Sequence, residues 1–342
     1  MRIAVMVPSL RDLAPVQVAM AVAVRLARAG HTVTVYYFKA TSVVRQAEGI
    51  SFEKISFFSR IDWNAYDIIH SHGFLPDAFV ALRKPGQSRA KSVSTIHNYV
   101  FPELKLLYNP FVSLTIGWSW VSMWKRIDHL VVLTDDSLQY YRKLLPHKSL
   151  SRIYNGKNIV HDPGVILPQH RQMAEEIRRN CTYCIGSIAA LIPRKRIDIV
   201  IRHLSRVEMG GMMILGDGPQ REYLEELVNQ HHLQDRVKFL GYIPKAYTYN
   251  ELFDISVFPS MSEGFSLSLI EAAGYQKKIV CADIPAFREA FTSDEVTFFN
   301  HEDELTIDHA MLDAWRDHEK PKRAYQKAVT IYSEEQMGEE YE

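Results

Sequence analysis

Cysteine is scarce. Three cysteines in 342 residues, Cys181, Cys184 and Cys281, are too few and odd in number, so no disulfide framework is implied. Cys181 and Cys184 have a spacing that can bind zinc, but no second Cys pair and no nearby His cluster completes a site. The pair runs straight into an apolar stretch, so both are read as core residues. Low-complexity tracts and fixed-period repeats are missing, which excludes fibrous and solenoid architectures. The opening Met1–Pro8 is too short in its apolar run for a signal peptide, and a cytosolic location is expected. Residues 106–124 carry no charged side chain, yet Asn109, Pro110 and Gly117 interrupt them, against a transmembrane helix.

Net charge is also missing, but only in the sum. Residues 1–150 hold 18 Lys+Arg against 10 Asp+Glu, and the remainder 22 against 30. The first half therefore suits an anionic partner such as a membrane surface or a phosphorylated acceptor, and a solvated basic surface explains the excess nearly as well. Nothing points to nucleic acid.

What is present is a strand–helix alternation. Apolar runs at 2–7, 31–38, 67–70, 92–96 and 129–133 alternate with helix-length segments, the first being Pro15–Ala29 with Gly30 as its stop. After Asn155-Gly156 the rhythm breaks, and residues 161–180 read as a linker containing Pro163, Gly164 and Pro168. It resumes with strands near 182–188, 211–215, 236–240, 254–258 and 277–281. Continuous apolar strands between helices predict parallel, doubly wound sheets in two domains, 1–160 and 181–320. Residues 321–342 are expected to form a helix that packs back toward the first domain. Ligands of such sheets bind at the carboxyl ends of strands, here expected in a cleft between the domains.

Three strand ends stand out. Gly216 and Gly218 in Leu215-Gly-Asp-Gly-Pro219 lie between a strand and a helix, where backbone amides can approach phosphate or merely turn tightly; Arg221 breaks the dinucleotide fingerprint. Arg194-Lys-Arg196 puts three cations after another strand, either facing an anion or solvated. Finally, Glu263-Gly-Phe-Ser-Leu-Ser-Leu-Ile-Glu271 places two acids around an apolar run. Glu263 falls on a loop and Glu271 about one turn into a helix starting near Ser266, where Ser268-x-x-Glu271 also fits a capping box.

This last stretch resembles the Glu-x7-Glu motif of the retaining glycosyltransferases of family 4, a group with the GT-B fold. Asp254-Ile-Ser-Val-Phe-Pro-Ser260, Ile279-Val-Cys-Ala-Asp-Ile-Pro285, Leu215–Pro219, Val237–Ile243, Ile153-Tyr-Asn-Gly156 and Asp67-Ile-Ile-His-Ser-His72 match in family order, over nearly the whole chain. The resemblance implies two Rossmann-like domains facing across a cleft, the first holding the acceptor and the second a nucleotide-sugar. It implies that Glu263 hydrogen-bonds sugar hydroxyls, that Glu271 binds the ribose, and that the amides of Gly264, Phe265 and Ser266 face the diphosphate. Lys195 matches the family's diphosphate-binding lysine, and His97 a histidine facing the acceptor; His70 and His72 are taken as structural or cleft-lining. The donor is expected to be UDP- or GDP-linked, with no cofactor and no metal, since cations and a helix start can carry the diphosphate charge.

Two positions depart from the pattern. Ala190 stands where the family has an Arg, so that either Arg194 or Arg196 substitutes or the diphosphate is held more loosely. Ala14-Pro15 replaces a Gly-rich turn and narrows the backbone approach there. They motivate an alternative, a catalytically degenerate nucleotide-sugar-binding partner subunit. A periplasmic-type sugar-binding protein and a Rossmann dehydrogenase fit less well, the first lacking a signal sequence and the second the fingerprint. Residues 106–126, with Trp118, Trp120 and Trp124 before Lys125-Arg126, are read either as a buried helix or as an interfacial segment with its indoles at headgroup level. The second reading points to a cell-envelope glycan or lipid-linked acceptor and a peripheral place on the inner face of the cell membrane.

Overall fold

The computed structural model describes residues 1–11, 13–39, 47–162 and 165–342. Asp12 of the loop after the first strand and Pro163-Gly164 of the expected linker lie outside the described residues. The chain divides into two units, one of Met1–Gly156 with Ser333–Glu342, the other of Lys157–Tyr332.

In the first unit the strands are β1 (Arg2–Ser9), β2 (Thr32–Lys39), β3 (Ile50–Lys54), β4 (Ile68–His72), β5 (Lys91–Thr95), β6 (His129–Val132) and β7 (Ser149–Arg152). They pair in parallel in the order β3-β2-β1-β4-β5-β6-β7. The order reverses between β1 and β4, the point where such sheets open a crevice at their carboxyl ends. Helices α1 (Ala14–Arg28), α2 (Phe74–Arg83), α3 (Val100–Leu107), α4 (Pro110–Trp124) and α5 (Asp135–Leu144) connect them. Ala14, at the altered turn, is the exposed first residue of α1.

The second unit begins with α6 (Pro168–Asn180), a helix where a linker was expected. Its polar composition hides a narrow inner stripe, His170, Ala174 and Ile177, buried in the core of this unit with Cys181 and Cys184. Burial pushes the Cys184 thiol up to about 12, as suits a packed rather than reactive cysteine. Strands β8 (Tyr183–Ile188), β9 (Gly210–Leu215), β10 (Val237–Gly241), β11 (Ile255–Phe258), β12 (Lys278–Ala282) and β13 (Thr297–Phe299) form a second parallel sheet, ordered β10-β9-β8-β11-β12-β13. Here the reversal falls between β8 and β11. Helices α7 (Ile197–Arg206), α8 (Arg221–Gln230), α9 (Leu267–Gly274), α10 (Pro285–Ala290), α11 (Thr306–Arg316) and α12 (Lys320–Ile331) complete the unit.

The expected C-terminal helix is two helices. Ser333, whose side chain accepts from the Gln336 amide, caps a separate α13 (Glu334–Tyr341) that belongs to the first unit. There Arg25 pairs with Glu342 at 3.2 Å and the Tyr341 hydroxyl meets Thr95 at 2.9 Å.

Helix α4 is apolar on all sides, and its inner face is fixed by one acid. Asp77 of α2 is 1% exposed. Its Oδ1 accepts from Ser71 (2.6 Å) and Ser94 (2.8 Å), and its Oδ2 from the indoles of Trp120 (2.8 Å) and Trp124 (2.9 Å). Two of the three indoles that the interfacial reading places at headgroup level therefore point inward, as the buried-helix reading has them, and of the three Trp118 alone is strongly exposed. Burial raises the Asp77 carboxyl above its usual range against those four donors.

Replacing Asp77 by Ala strands two indole N–H groups and two hydroxyls, an expected loss of about 3 kcal/mol in chemical denaturation. Asp77→Asn can turn its carbonyl to the indoles and its amide to the serine oxygens, and is expected to stay within about 1 kcal/mol of the parent. Equal losses for the two variants would refute this account of α4.

Candidate functional site

The order reversal in the second sheet puts the loops after β8 and β11 side by side, and both carry charge. After β8, Pro193–Lys195 forms a single 3-10 turn, closed by Arg196 in the left-handed region (φ 47°, ψ 40°). After β11, the chain runs through Pro259–Phe265 to Ser266, the N-cap of α9, whose hydroxyl oxygen accepts from the Leu269 amide. The cap is therefore Ser266, not Ser268, and Glu271 sits in the second turn of α9. A capping-box explanation of Glu271 is ruled out by that register.

The two loops are bonded into one piece. The Met261 amide donates to the Arg194 carbonyl (2.9 Å), and Arg194 Nη1 donates to the Ser262 carbonyl (2.5 Å). Between them lies Glu263, 6% exposed, with Oε2 2.8 Å from Arg194 Nη1 and Oε1 2.5 Å from Lys195 Nζ. Burial alone pushes the Glu263 carboxyl up. The Lys195 and Arg194 charges, helped by hydrogen bonds from Lys195 and Ser260, outweigh it and hold the group at about 2. Glu263 is thus an ionised, acceptor-only group at neutral pH. Arg196 turns away, to Asp198 and to Glu304 (2.7 Å), so Arg194 is the cation that joins this cluster. Ala190 is exposed.

Gly264, Phe265 and Ser266 are buried immediately ahead of α9, and the Phe265 ring packs edge-on against Tyr332 at 5.4 Å. Glu271 is also buried, with Lys157 Nζ 4.0 Å from Oε1. Lys157 was not singled out by the sequence, because it lies in a segment far from α9 along the chain with no motif of its own. Gly216 and Gly218 sit at the end of β9, beside this cluster's strand β8. Gly216 has φ +131°, and a Cβ there would fall 1.9 Å from the Ala189 carbonyl oxygen. Its amide donates to the Gly241 carbonyl, and that of Gly218 to Asp217 Oδ1. Close packing on 189–191 accounts for both glycines, and their amides are spent inside the unit rather than offered to a phosphate.

His97 lies in the first unit, just past β5. Its Nε2 is 3.0 Å from His72 Nδ1, and the His72 ring lies 4.2 Å from that of His70. His70 Nε2 meets Thr95 Oγ1 at 2.8 Å, and Thr95 meets Tyr341. Burial lowers all three histidines, His97 to about 4 and His70 to about 3, so the row is neutral at pH 7. It occupies the carboxyl ends of β4 and β5, next to the order reversal of this sheet. Among the described residues no group of three or more His, Cys, Asp or Glu is arranged to hold a metal ion.

Two parallel Rossmann-like sheets, each with its polar residues at the switch point, make a GT-B-like glycosyltransferase fold. The Anabaena protein HepE, solved with UDP and glucose, superposes with a TM-score of 0.82 at 16% identity, over 100% of this chain and 98% of that one. The model "Glycosyl transferases group 1" matches residues 169–330 and "Glycosyltransferase Family 4" residues 16–160, so between them nearly all of the chain is matched. The protein belongs to the group 1, family 4 glycosyltransferases. The O-antigen biosynthesis glycosyltransferase WclY of Escherichia coli is 33% identical over 235 residues, 68% of this chain and 65% of that relative, so the match spans less than two thirds of WclY. The Campylobacter jejuni N-acetylgalactosamine-N,N'-diacetylbacillosaminyl-diphospho-undecaprenol 4-alpha-N-acetylgalactosaminyltransferase is 30% identical over 149 residues, 43% of this chain and 41% of that protein.

Glu263 has a depressed carboxyl, so its contribution to stability is present above the ordinary carboxylate range and is lost as pH falls toward about 2. Glu263→Gln is expected to lower stability at pH 7 by roughly 3 kcal/mol, leaving Arg194 and Lys195 without their charge partner. The gap between the two proteins should narrow as pH falls below about 4.5. Urea midpoints at pH 7 and pH 3 check this, and an undiminished gap at pH 3 would contradict it.

Proposed function

We propose that this protein is a retaining glycosyltransferase that moves a sugar from a nucleotide-diphosphate-sugar to a lipid-linked glycan of the cell envelope. The observation that carries the reading is the buried Glu263 held between Arg194 and Lys195, on the loop leading into α9. An ionised carboxylate can take two sugar hydroxyls as donors, which fixes the sugar ring. Lys195 and Arg194 are already desolvated and oriented, so they can offset the charge that grows on the departing diphosphate without reorganising. The amides at 264–266 and the positive end of α9 add to that offset. Glu271, deeper in the same helix, suits the ribose diol. Charge compensation by side chains and backbone makes this a metal-independent scheme. Retention follows if the acceptor hydroxyl attacks from the face the diphosphate leaves and gives its proton to that phosphate. His97, neutral and steadied by His72, then faces the acceptor.

The UDP bound by HepE supports a UDP-linked donor, with GDP the second choice. The names of the E. coli and C. jejuni relatives support an envelope glycan acceptor, and the diphospho-undecaprenol of the latter a lipid-linked one. So do α3 and α4, where Phe111 (79% exposed), Leu114 and Trp118 are exposed, with exposed Lys105 on α3 and Lys125 and Arg126 just past the end of α4. Indoles and phenyl rings enter the headgroup region, and the basic flanks favour anionic lipid. No described helix is long and apolar enough to cross a membrane, so contact is proposed as peripheral, on the cytoplasmic face. One observation favours the degenerate-subunit alternative: the exposed Ala190 offers no cation where the family has one.

A thermal-shift screen against UDP, GDP, ADP and their sugar conjugates tests the donor site. A nucleotide at 100 times its dissociation constant should stabilise the parent by about 2.7 kcal/mol and Glu271→Ala far less. With the donor identified, Glu263→Ala should lower turnover at least about 10²-fold. Activity within threefold of the parent would remove Glu263 from the mechanism, and nucleotide binding without any transfer or hydrolysis would favour the degenerate subunit. Phe111→Ser with Trp118→Ser should reduce sedimentation with anionic liposomes by about tenfold or more. Unchanged sedimentation, or none by the parent at any salt, would end the membrane reading.

A further inference from the structure

Each buried acid of the second unit has its own cation, but the two pairs are built differently. Lys195 reaches Glu263 at 2.5 Å, a direct hydrogen bond, whereas Lys157 stands 4.0 Å from Glu271, close enough to offset its charge but beyond hydrogen-bond range. Lys157 is not a loose surface lysine. Its side chain is 16% exposed, and its ammonium lies 5.5 Å from the centre of the Tyr247 ring, in range for a cation–π contact. The backbone around it is pinned to the ends of α12 and α9. The Lys157 amide donates to the Tyr332 carbonyl at 2.8 Å, and the Tyr275 hydroxyl donates to the Val160 carbonyl at 3.2 Å. Ile159 presses on Gly274 so closely that a Cβ there would lie 2.2 Å from Ile159 Cγ1. The segment therefore runs along α9 and delivers its one ammonium to the one acid on that helix.

We propose that Lys157 is a positioning residue for nucleoside diphosphates: it offsets Glu271 and adds a third cation to the donor site, favouring phosphorylated over bare nucleosides. The inference rests on the donor-site reading of Glu271. A buried carboxylate holds a ribose diol well, but its charge repels a diphosphate attached to that ribose, and burial weakens the screening that water would give. An ammonium 4.0 Å away offsets that repulsion by charge, at a distance too long for a hydrogen bond of its own to the carboxylate. A neutral nucleoside feels little of this, because it brings no charge to be repelled. Lys157 and Glu271 thus divide the work, one recognising the sugar of the nucleoside and the other making that recognition compatible with phosphate.

The experiment is calorimetric titration of UDP and uridine into the full chain, parent and variants, with GDP and guanosine if those are the ligands the parent takes. Lys157→Met is expected to weaken UDP by about tenfold or more and uridine by less than about threefold, with Lys157→Arg within about threefold of the parent for both. The selectivity for UDP over uridine is the deciding readout, because a merely structural lysine would weaken both ligands alike. Equal loss for the two, or UDP binding by Lys157→Met within threefold of the parent, would overturn the proposal. If Lys157→Met does not fold, Lys157→Gln carries the same test with the same expected ratios. A parent that binds neither UDP nor GDP would instead overturn the donor-site reading and this inference with it, which separates the two failures.

Discussion

A carboxylate with almost no access to water is the constraint around which the second unit is arranged. Burying an ionised acid costs several kcal/mol unless partners replace its hydration, so Glu263 can exist there only with Arg194 and Lys195 in contact. Those partners come from the loop after β8, and Glu263 from the loop after β11. The two strands are neighbours only because the sheet order reverses between them. The ion cluster, the Met261 amide to the Arg194 carbonyl and the Arg194 bond to the Ser262 carbonyl then lock the loops together. Sheet topology thus dictates where charge can be concentrated, and the charge in turn makes the loops rigid. Rigid, desolvated charges are what electrostatic stabilisation of a leaving group requires.

The first unit shows the same problem solved without cations. Asp77 is as deeply buried as Glu263, but its four partners are neutral hydroxyls and indoles. The consequence is opposite in sign: burial keeps the Asp77 carboxyl raised, whereas two cations depress that of Glu263 to about 2. Neutral donors suffice to fix an apolar helix in place, because they satisfy lone pairs without adding charge to the interior. They offer nothing to an anionic ligand. Comparing the two acids shows that partner charge, not burial, sets the state of a buried carboxyl, since both are buried and both are fully engaged.

All ten expected strands are present within two residues, and nine of them, all but the edge strand β10, are central, where being buried on both faces forces a continuous apolar run. Edge strands β3, β7 and β13 were not legible, since Ser149-Leu-Ser-Arg152 and Ile50-Ser-Phe-Glu-Lys54 are half exposed and short. Helix α6 escaped because only three of its thirteen residues are buried. Glu263 and Lys195 were readable through motif resemblance, yet their partnership was not: spacing places residues on loops, and only the sheet order brings those loops together. Lys157 was illegible for a stronger reason, as its role depends on a segment pinned by Tyr332, Tyr275 and a missing Cβ at Gly274. The glycines at 216 and 218 were visible but ambiguous, and backbone contact with residues 189–191 explains them without a ligand.

The two units place their polar residues at equivalent points of equivalent sheets and fill those points with different electrostatics. In the first, His70, His72 and His97 are held neutral by burial and joined through Thr95 to Tyr341 of α13. In the second, three cations meet two carboxylates. A neutral row of hydrogen-bonding rings suits hydroxyl groups and gives a phosphate no counter-charge. Taken together, these side chains carry one more cation than anions, which suits an anionic group better than the histidine row does. If one of these units takes the anionic substrate, electrostatics assigns it to the second, and the first is left with the substrate whose recognition depends on hydroxyls. That division follows from side-chain charge at the two switch points, and needs no appeal to the family to be stated.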